Sequence, residues 1–271
     1  MLPVAFVPST PLLHPEIAGP AAVATAATRS AARRAVDTLL SRPTVLVLGG
    51  LGVGGRPPNP TQREPVQQWP PSTADCLSEF GLTGPEDADG EPLPLSLSLG
   101  RWLLMDGGFD GTMNLISLHG SPQEVAAGAG RLELPSDFGL LVVGDGTATR
   151  TDKSPGHHMP GAVELDDQLA AALGAGDSQM FDRLPQSADT DFLLDGRCAW
   201  QGGMTICSKS GSPRASELLA FDAPHGVAYF VATWLVGDPT ATRTDHRYSS
   251  SAKSWTPPST SETTRDASPA E

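Results

Sequence analysis

A chain of 271 residues, 39% of them hydrophobic, can bury one sizeable core without help from a metal or disulfides. Its three cysteines, Cys76, Cys198 and Cys207, make no CxxC pair and no disulfide framework, which argues against a zinc ribbon and fits a reducing, cytoplasmic compartment. The net charge of −13 is uneven, with six basic and three acidic residues in 1–74 but five against twenty-one in 75–195; so acidic a middle argues against nucleic acid as partner.

The opening MLPVAFVPSTPLLHPE has no basic region and carries Pro3, Pro8 and Pro11, so it reads as strand plus loop rather than a signal peptide. No stretch reaches eighteen uninterrupted apolar residues, and no membrane span is expected. VAFV is a first strand, and His14 follows it as a polar imidazole just past a core element. Residues 20–41 read as a helix with Val23, Ala27, Ala31, Val36 and Leu40 on one face; Pro43 stops it and Thr44–Leu48 starts a buried strand.

That strand runs into GGLGVGGRPP. The glycines suggest a dinucleotide loop, yet the spacing fails and Arg56-Pro57-Pro58 forbids the helix that would hold a pyrophosphate. Residues 56–92 form an irregular, proline-rich acidic insertion, with a short helical turn near 74–80. Leu93–Leu99 alternates as a strand would, and WLLM after it suits strand or helix. A strand at Leu115–Leu118 ends at His119, and a helix follows over Pro122–Ala129, with Ser121 as cap and proline in its first turn.

The centre of the chain is FGLLVVGDGTATR, residues 138–150. A buried strand, Gly139–Val143, ends in a sharp polar turn that presents Asp145 or Thr147 where α/β sheets collect reactive groups. Asp145 suits a metal ligand, a base or an Asx-turn acceptor; Arg150 and Lys153 suit an anionic substrate or a solvated face. Helices are expected at Ala162–Leu173, around Ser178–Leu184, Ala188–Leu194 and Cys198–Ile206, and strands at Glu217–Phe221 and Val227–Leu235. From Gly237 onward serine, threonine, proline and charge dominate, which predicts a disordered tail.

Together VAFVPSTPLLHPE, LLVVGDGTATRTDKSPG and FDAPHGVAYFVATW resemble actinobacterial proteins related to the catalytic B subunit of class III extradiol ring-cleavage dioxygenases, a superfamily that includes the Memo proteins. The likeness spans about residues 1–236. It implies an α/β fold, a single-domain α/β/α sandwich around a mixed central sheet (LigB-like), and assembly as a homodimer or with another subunit. In such enzymes two strand-end histidines and a later glutamate hold non-haem iron(II), leaving positions for a catecholate and dioxygen. His14 matches the first histidine, whereas Gly49-Gly50 stands where the second is expected.

Two readings follow. One is a diverged homologue with a cleft for a small aromatic or anionic molecule or another metal. The other is a non-haem Fe(II)-dependent oxidoreductase that cleaves a catechol-type ring with dioxygen. The residues implied are His14 and Asp222 as ligands of Fe(II) or another divalent metal, Asp145 and His225 as catalytic groups, and Thr147, Arg150 and Lys153 as substrate contacts.

Overall fold

Buried β-branched and leucine runs separated by amphipathic helices dictate a layered α/β arrangement. The computed structural model describes residues 1–52, 64–82 and 90–238. Seven strands among the described residues form one mixed sheet: β1 (Leu2–Val7), β2 (Thr44–Gly50), β3 (Val66–Trp69), β4 (Thr112–Leu118), β5 (Gly139–Val143), β6 (Ser212–Asp222) and β7 (Tyr229–Gly237), in the spatial order β3-β4-β2-β5-β1-β7-β6. The four central strands β4, β2, β5 and β1 run parallel, while β3, β7 and β6 are antiparallel to their neighbours.

Alternate side chains of each central strand enter different layers, because successive Cβ atoms point to opposite faces. Phe6, Leu46, Leu48, Leu140 and Val142 pack with α4 (Pro122–Arg131), α5 (Ala162–Ala175) and α8 (Arg197–Ser210). Val7, Val45, Val47, Leu141 and Val143 pack on the other side with α2 (Ala26–Asp37) and α3 (Leu95–Asp106). The sequence expectation of an α/β/α sandwich around a mixed sheet is met at this level. Three four-residue helices, α1 (Pro15–Ala18), α6 (Gln179–Asp182) and α7 (Ala188–Asp191), complete the described α-helical set.

This arrangement alternates the exits from the strands. The next α-helices after β1 and β2 that cover the sheet, α2 and α3, lie on one face; those after β4 and β5, α4 and α5, lie on the other. In the spatial order β4-β2-β5-β1 every neighbouring pair therefore diverges at its carboxyl ends. Such divergence opens crevices there.

Several expectations change. Leu93–Leu99 is not a strand: residues 95–106 are α3, whose first turns are buried at Ser96, Leu97, Ser98, Leu99 and Gly100 alike. The alternation came from serines buried beside leucines, with Ser96 Oγ donating to Gly50 O at 2.7 Å and Ser98 Oγ to Leu93 O at 3.3 Å. Residues 20–41 give a shorter helix, α2; its buried face is Thr28, Ala31, Ala32, Ala35 and Val36, while Val23 precedes it fully in solvent. The insertion contains an edge strand, β3, anchored by buried Trp69, whose indole N–H donates to Ser117 Oγ at 2.8 Å. The glycine loop beyond Gly52 and the tail from residue 239 lie outside the described residues.

Candidate functional site

The β1 and β5 termini are joined directly, Gly144 N–H donating to Val7 O at 3.0 Å. Ser9 then turns over the GDG turn: its amide donates to Asp145 Oδ1 at 2.7 Å and its hydroxyl to Asp195 Oδ2 at 2.5 Å. From the other side Gly196 N–H donates to Asp145 O and Gly146 N–H to Ala228 O, both at 2.8 Å. The turn is thus sewn to three separate segments.

Its glycines are explained by close approach. Neither has a positive φ, but a Cβ on Gly144 would overlap Gly196 Cα, and one on Gly146 would lie 2.6 Å from Phe230 and 2.7 Å from Ala228. Backbone against backbone at Gly144, and the side chains of Phe230 and Ala228 at Gly146, leave no room for a Cβ.

A cleft of about 550 Å³ opens over this turn. Ser9–Pro11 after β1, Leu51 and Gly52 after β2, and Asp145, Gly146 and Ala148 after β5 line it, with Leu93, Leu95, Phe80 and Val227 supplying apolar wall. Burial and the neighbouring Asp195 carboxylate push the Asp145 carboxyl well above its ordinary value, although bonds from Ser9 favour its charged form. Tyr229, also on the wall, is raised to about 12 by burial and by Asp145, against a hydrogen bond with Thr10. A carboxyl pushed toward its neutral form beside a carboxylate-linked serine places hydrogen-bonding groups on an otherwise apolar wall.

The expected residues divide. Asp145 faces the cleft. Thr147 turns inward, its amide and hydroxyl donating to Asp166 at 3.0 and 2.6 Å, and Arg150 meets the same carboxylate at 2.6 Å. Asp166 is fully buried on α5, so these two residues brace the turn and lie off the cleft lining. Burial raises the Asp166 carboxyl, with Thr147 and Arg150 pulling the other way. Lys153 and His225 are exposed, as is Asp222 at the end of β6, whose Oδ1 caps Ala223 N at 2.7 Å. His14 is 9% exposed, packs at a tilt against Trp102 with 4.6 Å between ring centroids, and also lies off the lining. Desolvation lowers its pKa, joined by Arg29 and opposed by Glu16 and Asp106; among the described residues Nδ1 has no hydrogen-bond partner.

Sequence reasoning missed Ser9, Asp195 and Tyr229. Ser9 had a signal, lying two residues past a core strand. Asp195 had none, since only tertiary packing brings LLDGR to the strand ends.

Iron(II) does not fit the donors present. Among the described residues no group of three or more His, Cys, Asp or Glu is placed to hold a metal ion. At the second strand end the obstacle is steric: a Cβ on Gly49 would overlap Ser96 Oγ, and one on Gly50 would lie 3.0 Å from Asp195 O. Ser96 and Leu97 of α3 and the Asp195 carbonyl fill the space a ligand histidine needs. The cysteines are also unsuited as nucleophiles: all three are buried and unpaired, and burial pushes Cys198 and Cys207 to about 12. No helix among the described residues is long and apolar enough to cross a membrane. No family model and no curated protein matches this sequence.

Proposed function

We propose that this protein is a diverged relative of the class III extradiol dioxygenases that holds a small, mainly apolar ligand, an aromatic ring bearing a carbinol hydroxyl, in the strand-end cleft without iron. The observation that carries this is the cleft itself, formed where β1, β5 and β2 end and walled by apolar side chains around Asp145. Sites of this type combine apolar area with a few placed polar groups. The ligand reading is supported by the meeting of Ser9–Pro11 after β1 with the GDG turn after β5 in one cavity, while the kinship rests on the sequence motifs alone.

An anionic ligand is the weaker arm. The described lining contributes Asp145, Asp195 and Glu79, whereas Arg150 is committed to Asp166 and Lys153 lies elsewhere. Ring cleavage with iron stays second for want of ligands.

Benzyl alcohol titrated by calorimetry tests the reading. Plugging the cleft from two walls, with Ala148→Trp and separately Val227→Trp, is expected to weaken binding tenfold or more while leaving the circular dichroism spectrum unchanged. Undiminished binding in both variants would overturn the site. A yellow ring-opened product from catechol, Fe(II) and dioxygen, dependent on the protein, would instead establish the iron chemistry.

A further inference from the structure

A second cavity, of about 410 Å³, lies where β2 and β4 diverge, beside Gly50, Leu118 and Gly120. It shares four lining residues with the first cleft: Leu51, Gly52, Leu193 and Asp195. One of these is conformationally unusual. Leu193 has φ of 49°, the one positive φ at a non-glycine among the described residues. A branched side chain held in this region persists only where its surroundings over-determine it.

The surroundings do so here. Phe192 O accepts from Ala148 N at 3.0 Å, and Leu194 N donates to Ala188 O at 3.2 Å, so the chain on both sides of Leu193 is fixed. The backbone of Ala148, just past the GDG turn, and that of α7 thus fix the position of Leu193, which lines both cavities and packs its Cδ1 against Gly156.

We infer that the two cavities are compartments of one site for an elongated ligand, and that Leu193 determines how far the ligand reaches. This rests on the reading of the larger cleft as a ligand site. The ligand class is an arylalkyl carbinol or its like: a ring in the larger cavity, a hydroxyl at the Asp145–Ser9–Asp195 junction, and an unbranched chain passing Leu193. Leu118 and Leu194 provide apolar wall beyond it.

The probes are 1-phenylethanol, which has no chain to pass Leu193, and 1-phenylhexanol, which does. Leu193→Gly widens the passage and suits a positive φ, so its melting temperature is expected to hold or rise. Burial of two further methylenes predicts roughly tenfold tighter 1-phenylhexanol binding, with 1-phenylethanol changed less than about twofold. Leu193→Trp should weaken the long probe selectively. Equal responses of the two probes to both variants would overturn the role of Leu193 while leaving the cleft reading intact. Failure of the wild-type protein to bind either probe would overturn the cleft reading itself.

Discussion

Replacing Gly49 by alanine puts a methyl group onto Ser96, whose Oγ and Cβ it would overlap. Ser96 cannot swing away freely, because it is buried in the first turn of α3 and its hydroxyl is bonded to Gly50 O. Overpacking of this kind costs about 1–3 kcal/mol, and because the Ser96 Cβ is fixed by the α3 backbone and cannot rotate away, this site lies near 3. At ~2–4 °C per kcal/mol for a domain of this size, the melting temperature should fall by about 6–12 °C. Ser96→Gly alone loses one hydrogen bond and some helix propensity, roughly 1.5 kcal/mol. The double variant removes the overlap, so it should be no less stable than Ser96→Gly, a coupling of about 3 kcal/mol. Urea denaturation of the four proteins measures this directly. Additivity within about 0.5 kcal/mol would refute the steric account of why this strand end carries no ligand histidine.

Asp166→Ala leaves Thr147 N and Oγ1 buried without their acceptor, which should cost about 2–5 kcal/mol and weaken ligand binding together; a fall in melting temperature under 2 °C would count against the brace. Arg197, fully buried, donates to both oxygens of Asp189, to Gln201 and to Gly120 O, so Arg197→Met should destabilise by about 3–5 kcal/mol in urea titrations. A loss below about 1 kcal/mol would mean that water replaces the network. The pH profile of melting separates two opposed groups. Folded Asp145 binds a proton more readily than the unfolded chain, so its contribution falls as pH rises from 3.8 through its raised value, and Asp145→Asn should flatten that limb. Folded His14 resists a proton that the unfolded chain takes up below 6.5, so stability falls as pH drops through that range, and His14→Gln should remove the dependence. Unchanged profiles in both variants would show that neither group is the source.

Local signals were readable where one element decides its own fate. Gly139–Val143 is bounded as its run of apolar residues predicts, and Ser121-Pro122-Gln123-Glu124 is a full capping box in which Ser121 and Glu124 exchange bonds. Leu93–Leu99 misled because alternation assumes that serine faces water, whereas the first turns of α3 bury Ser96 and Ser98 beside the leucines. The site was legible as a place and less so as a set of residues. The turn after β5 was found, but Thr147 points inward because Asp166, nineteen residues on, sits on the buried face of α5. Asp195 reaches Ser9 across 186 positions, a distance no local pattern encodes.

Amide chemical shifts of Ser9, Gly146 and Ala148 during a benzyl alcohol titration in buffer with excess chelator test most directly whether the cleft takes a ligand on its own residues. Saturable shifts at these three positions, unaffected by chelation, are predicted. Shifts that are absent with chelator and return only on adding Fe(II) would contradict the account.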